Sequence, residues 1–304
     1  MLTETAFAKV NLALHVRRRR DDGYHDIESL FAFVDSGDVL RGEVRDDGLV
    51  TLTIDGPFAT GLDDGPDNLV LRAARALRHS VFPIDVEGPL RDGLETSLDF
   101  ARDRRGGGGG ADLYLTKNLP VASGIGGGSA DAAAALRLLN TLWGCGLDDR
   151  ALCAIAETLG SDIPACVISR TLRVESRGEA LAPLDLAGLS GTPILLVNPA
   201  VPLSTGPVFQ AWDRIDQGSL DTSSLDAIVQ HGRNDLETPA RGLVAQIGDV
   251  LDSLAQQSGV TLARMSGSGA TCFALFDSVA SAQAARQALT SAHPQWWAML
   301  GHVR

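Results

Sequence analysis

Three groups of residues have the types and spacing to do chemistry together. Pro120-Val-Ala-Ser-Gly124-Ile-Gly126-Gly127-Gly128-Ser129-Ala130-Asp131 is a glycine-rich loop that runs into a segment rich in alanine and leucine. Glycines let the backbone take up positive φ and come close to a ligand. A helix start adds unpaired N–H groups and partial positive charge, so the stretch reads as an anion site, most often one for phosphate. Lys9 and Asn11 stand two positions apart in an apolar alternating run. On a strand they share a face and lie about 7 Å apart. Asp162 follows Gly160, a good helix-ending residue, in Gly-Ser-Asp-Ile-Pro. Phosphoryl transfer from ATP asks for a phosphate cradle, a cation near the γ-phosphate and a carboxylate on the attacking hydroxyl.

The loop fits neither of the two commonest nucleotide templates. Walker A needs a lysine after its glycines, and none follows here. The dinucleotide fingerprint is not met from Gly124, and the acidic residue expected after a second parallel strand is missing. The helix dipole contributes only about 0.3–1 kcal/mol per charge. Micromolar binding needs about 8 kcal/mol, so backbone N–H bonds and a nucleoside pocket must share the task.

The elements that position these residues follow from periodicity. Residues 5–15 alternate as a strand, with Val10, Leu12 and Leu14 on one face and Phe7, Lys9, Asn11, Ala13 and His15 on the other. An edge strand with a wet second face is the bland alternative. After the turn Asp22-Gly23-Tyr24-His25 come strands at 27–34, 38–44 and 48–54, a helix at 67–80 and a strand at 112–117. Ala132, Leu136, Leu139 and Trp143 line one face of the helix behind the loop, with Ser129 as its expected N-cap and Asp131 in its first turn. A second helix, capped by Asp148 or Asp149, ends at Gly160. From about 170 the pattern turns to strands at 172–176, 180–184 and 193–198, helices at 206–214 and 235–257, strands at 261–265 and 271–276, a helix at 278–291 and a strand at 296–303. Its second part has the strand-helix-strand-strand-helix-strand order of a ferredoxin-like unit. The expected division is 1–169 and 170–304. Asn234 with Glu237 reads as an N-cap and capping box.

With 304 residues, 44% hydrophobic and 21% charged, the chain has the make-up of a soluble globular protein of one large domain or two ordinary ones. A formal charge of −12 argues against nucleic acid. The run Arg17–Arg20 is the exception and reads as a hairpin end balanced by Asp21 and Asp22. No stretch reaches the length of a membrane span, and the four cysteines show no metal or disulfide spacing, which points to a cytoplasmic protein. The glycine run Gly106–Gly110 precedes a strand rather than a helix and reads as a loop tip.

The segment Pro120 to Ala130 resembles the central motif of the GHMP kinases, which phosphorylate small alcohols with ATP. Ala8-Lys9-Val10-Asn11-Leu12, Asp22-Gly23-Tyr24-His25, Gly160-Ser-Asp-Ile-Pro164, Asn234-Asp-Leu-Glu237 and Ala263-Arg-Met-Ser-Gly-Ser-Gly-Ala270 agree with it in order along nearly the whole chain. The resemblance implies an α+β fold in two domains, the first like ribosomal protein S5 domain 2 and the second ferredoxin-like, with the active site in the cleft between them. It implies Asp162 as catalytic base and Lys9 as the residue that orients it and stabilises charge on the γ-phosphate. Pro120, Val121, Ala122, Ser123, Gly124, Ile125, Gly126, Gly127, Gly128, Ser129 and Ala130 would bind ATP. Asn11 would hold the substrate hydroxyl. Tyr24 and His25, with Phe209 as a second wall, match the residues that receive a cytidine end, so the acceptor implied is an alcohol with a cytidine diphosphate group. Homoserine- or mevalonate-type acceptors, and a ligand-binding relative without activity, are the alternatives. Gly127 and Gly128 stand where many members have serines, so Mg²⁺ would be held by the nucleotide and water, with no metal site on the protein. A monomer or weak homodimer is expected.

Overall fold

The alternating run near the N-terminus forms β1 (Leu2–Arg19), longer than the expected 5–15. In the computed structural model, which describes residues 1–82 and 109–304, the chain divides into two units. The first comprises Met1–Ala6, Asp38–Asn118 and Gly128–Ile168, and the second Phe7–Gly37, Leu119–Gly127 and Ser169–Arg304. One crossing, Ile168 to Ser169, lies next to the expected boundary, and the other crossings make both units discontinuous in sequence. Most of the glycine run Gly106–Gly110 lies outside the described residues.

In the first unit, β4 (Gly110–Thr116) runs parallel to β3 (Val50–Asp55) and antiparallel to the later part of β2 (His25–Arg45). The strands expected at 27–34 and 38–44 are therefore one, because the chain stays extended through Asp35-Ser36-Gly37. Helix α1 (Leu69–Val81) is capped by Asn68, whose side chain accepts from Val70 N. Helix α2 (Gly127–Leu142) buries Ala130, Ala132–Ala135, Leu136, Leu138 and Leu139. At Gly42 of β2 a Cβ would stand 2.9 Å from Leu138 Cδ2, so strand and helix pack closely there. Helix α2 starts two residues before Ser129, which is not its N-cap. Asp131 serves no dipole: it is buried against Lys117, at 2.6 Å, with Asp38 on the other side of the ammonium. Asp148 caps α3 (Asp149–Glu157) as expected, accepting from Ala151 N. A further short helix, α4 (Ile163–Ile168), was not expected.

The second unit contains an antiparallel sheet of β7 (Pro193–Asn198), β8 (Val260–Met265), β9 (Cys272–Phe276) and β10 (Trp297–His302), in the order β10-β7-β9-β8. With α9 (Val279–Ala292) joining β9 to β10, this is the expected ferredoxin-like order. Between β7 and β8 lie α5 (Thr205–Gln210), α6 (Leu225–His231), α7 (Glu237–Leu243) and α8 (Gln246–Ala255). The helix expected over 235–257 is thus two. Val244 leaves helical geometry at φ −136° and is itself buried, and the redirected chain also buries Ile247, Val250, Leu251 and Leu254.

The run Pro193-Ile-Leu-Leu-Val is apolar throughout because both faces of its sheet are covered. Leu195, Val197 and Phe276 pack among the helices, while Leu196, Phe273 and Leu275 pack with Val10, Leu12, Leu30 and Val34 of β1 and β2. Strand β5 (Leu172–Ser176) pairs with the first part of β2 and with β6 (Ala180–Pro183). Residues 8–16 of β1 are all buried, so its second face is not wet.

Candidate active site

The second unit brings Lys9, Asn11 and residues 120–126 of the glycine loop together. Lys9 N donates to Ile125 O at 3.0 Å, tying β1 to the loop. Gly126 sits at φ +65°, and a Cβ there would meet Lys9 Cε at 3.2 Å, so the lysine stem lies along bare loop backbone. Lys9 Nζ stands 4.0 Å over the Phe31 ring, and the residue is only 5% exposed. The ring face favours a cation in this low-dielectric setting.

Gly124, at φ +77°, meets the hairpin between β8 and β9. A Cβ would come within 2.5 Å of Ser266 O and 2.7 Å of Gly269 O, which no side chain can do. Ser123 Oγ donates to Pro120 O at 2.6 Å and so closes the loop on itself. The N–H groups of Gly124 and Gly126 donate to nothing among the described residues. Gly127 opens α2, and Gly128, Ser129 and Ala130, in its first turn, belong to the first unit.

Asn11 is buried at 2% exposure. Its amide donates to Ser29 Oγ at 2.9 Å, and Ser29 in turn donates to Ala13 O at 2.6 Å. Its Oδ1 is buried with no hydrogen-bond partner among the described residues. An acceptor left in that state is costly unless a ligand donor meets it.

Asp162 belongs to the first unit, half-buried immediately before α4. Its carbonyl accepts from Cys166 N at 3.1 Å, so it opens a new helix rather than merely following one. Arg137 Nη1 donates to Cys166 O at 2.8 Å at the far end of α4 and fixes that turn.

Tyr24 and His25 follow the β1–β2 turn, where Gly23 sits at φ +87°. His25 lies 4.9 Å from the Phe209 ring and 5.8 Å, edge-on, from Trp212. Burial, with the Arg19 charge, holds its pKa below the ordinary histidine value, so the ring is neutral at pH 7. Tyr24 is 61% exposed, with the Arg177 guanidinium 5.6 Å from its ring. Three of the four arginines in the run Arg17–Arg20 are paired among the described residues, Arg20 with the expected Asp22 among others. Arg18 and Arg20 pair with Asp26, and Arg17 pairs with Glu28 and Asp216.

Two features escape sequence reasoning. Trp212 joins the ring cluster, although its only signal was being one of four tryptophans. Asn234 is not a helix cap: α7 begins at Glu237 with Leu236 at the N-cap position and no side-chain cap bond. The Asn234 amide instead donates to Met265 O and Gly267 O, beside the loop. Glycines at 267 and 269 in the hairpin were the visible hint that a tight turn needs external donors.

Comparison with known proteins identifies the family. Residues 68–170 match the GHMP kinases N terminal domain and residues 221–295 the GHMP kinases C terminal domain. A 4-diphosphocytidyl-2-C-methyl-D-erythritol kinase of Rhizorhabdus wittichii is 50% identical, over 99% of this chain and 94% of its own length. The corresponding kinase of Sphingopyxis alaskensis is 47% identical, over 100% and 99%. The crystal structure of a 4-(cytidine 5'-diphospho)-2C-methyl-D-erythritol kinase superposes with a TM-score of 0.73 at 31% identity, covering 99% of each chain. A chain with this loop, this buried lysine and these relatives belongs to the GHMP kinases, and within them to the family of the 4-diphosphocytidyl-2-C-methyl-D-erythritol kinases.

Proposed function

We propose that the chain transfers the γ-phosphoryl group of ATP to the C2 hydroxyl of 4-diphosphocytidyl-2-C-methyl-D-erythritol, giving the 2-phosphate and ADP on the methylerythritol phosphate route to isoprenoid precursors. The observation that carries this reading is the lysine lying along the glycine loop. Phosphate oxygens cradled by the N–H groups of Gly124 and Gly126 meet the buried Lys9, where low dielectric strengthens the attraction. Lys9 stabilises the charge that develops as the γ-phosphoryl moves. Asp162 takes the proton of the attacking hydroxyl, and Asn11 Oδ1, buried and unpaired among the described residues, accepts from a hydroxyl of the acceptor. Val121 and Ala122, exposed at the loop's crest, and Ser129 and Ala130 flank the nucleotide.

His25, Phe209 and Trp212 supply ring faces for cytosine, with exposed Tyr24 as the opposite wall. A neutral His25 can both donate to and accept from the base. Mg²⁺, when bound, would supply neutralisation of the phosphate charge, and nucleotide oxygens and water would hold it. Residues 1–169 form the ATP-binding, catalytic domain and 170–304 the ferredoxin-like domain that lends Phe209 and Trp212 to the acceptor, a division the two family matches at 68–170 and 221–295 support. The four free cysteines suit a reducing compartment such as the cytoplasm.

Purified protein should release ADP from ATP only when the cytidine-diphosphate alcohol is added, and not with homoserine or mevalonate. Equal turnover of an acceptor lacking the cytidylyl group would overturn the assigned substrate. Normal turnover by Asp162→Asn would overturn the assigned base.

A further inference from the structure

We infer that Asn234 is a positioning residue: it holds the Met265–Gly269 turn against Gly124 and so sets the shape in which the glycine loop receives the phosphates of ATP. This rests on the reading of that loop given above. Asn234 is 7% exposed. Its two amide hydrogens go to Met265 O at 2.7 Å and Gly267 O at 2.8 Å, and its Oδ1 accepts from Leu236 N at 3.0 Å. One short side chain thus pins two carbonyls on either side of Ser266.

Its own backbone is fixed by β1. Leu14 N donates to Arg233 O at 2.8 Å, Asp235 N to Leu14 O at 2.9 Å, and Val16 N to Asp235 Oδ2 at 2.7 Å. Asn234 therefore stands on the strand that carries Lys9 and Asn11, and reaches to the turn that touches the loop. The turn needs such an anchor. Gly267 and Gly269 sit at φ +55° and +85°, a backbone free to take other shapes. Held as it is, the turn puts Ser266 O and Gly269 O where they leave Gly124 no room for a Cβ. Ser266 Oγ accepts from Asn11 N at 3.1 Å and donates to Gly124 O at 3.0 Å, and Thr271 N donates to Ser123 O at 3.1 Å.

Asparagine suits the task because a primary amide brings two donors and one acceptor on a short stem. Aspartate has the same shape but would set an acceptor against two carbonyls. Steady-state kinetics of Asn234→Asp and Ser266→Ala, each with its thermal midpoint, test this, and Gly126→Ala serves as the control on the loop itself. Expected is a rise in KM for ATP of about tenfold in Asn234→Asp and about threefold in Ser266→Ala, with KM for the alcohol changing less than about twofold. Should Asn234→Asp not fold, Ser266→Ala decides. An unchanged KM for ATP in the folded variants, beside a raised one in Gly126→Ala, overturns the inference alone. Equal rises in both KM values overturn it as well, because general loosening would then explain them. An unchanged KM for ATP in Gly126→Ala overturns the loop reading beneath it.

Discussion

Lys9 and Lys117 are both buried lysines, at 5% and 3% exposure, and they are set in different surroundings. Lys117 Nζ sits between Asp38 and Asp131, two carboxylates also buried, at the junction of β2, the end of β4 and α2. Burial works against the Lys117 charge, but the two carboxylates outweigh it and raise its pKa. Burial pushes Asp131 up to about 7 against the pull of Lys117, with Asp38 adding to the rise. Its Oδ1 has no hydrogen-bond partner among the described residues. A cation already matched by two carboxylates has no attraction left for a ligand. Lys9 lies over an aromatic ring and along a loop of bare backbone. A buried lysine points to function when the backbone beside it is shaped to receive a ligand.

Removing each lysine separates the two roles. Lys9→Met should lower kcat on the order of 10³ or more, because stabilising transition-state charge dominates such sites. Its thermal midpoint should move by only a few degrees, since methionine refills the space over Phe31, and a kcat within tenfold of wild type would break the contrast. Lys117→Met should destabilise by about 3–5 kcal/mol, because it leaves two buried carboxylates without their cation. Urea unfolding reads this directly. Little loss of stability would show that the cluster is not a structural tie.

The smallest effect concerns Asp131. Its folded pKa lies above the ordinary carboxyl value, so the folded state holds its proton more tightly than the unfolded chain does. The stability this contributes is full below about pH 4, and is lost as pH rises through about 7. Asp131→Asn should flatten that part of the stability profile and leave the protein at least as stable as wild type at pH 8. Denaturation midpoints measured from pH 4 to 8 check it, and an unchanged slope would contradict the burial argument.

The glycine loop and the pairing of Lys9 with Asn11 on one face were legible because φ freedom and the two-residue strand period are local properties. The ferredoxin-like order was legible for the same reason. The single strand β2 was not, since Asp35-Ser36-Gly37 interrupts the apolar pattern between the two expected strands while the chain in fact stays extended. Nor was the split of 235–257 into α7 and α8, which follows from what Val244 and its neighbours bury. The false capping box at Asn234 shows the limit most clearly. Residues 234–237 have the spacing for a local cap, yet the amide goes to carbonyls some thirty residues on, at Met265 and Gly267.

What the amino-acid order determined alone is the inventory: a loop able to cradle phosphate, a lysine and an asparagine in step, a carboxylate after a glycine, and a tyrosine and histidine at a turn. Backbone geometry and side-chain chemistry suffice for these, because they act over a few residues. Tertiary structure decided which of these groups lost their water and what replaced it. Asn11 is buried because β1 is covered on its second face, and its N–H is met by Ser266, 255 positions away. Lys117 is matched by Asp38, 79 positions before it, while Lys9 is set along Gly126. Burial and partnership depend on contacts between distant segments, and no local period encodes them.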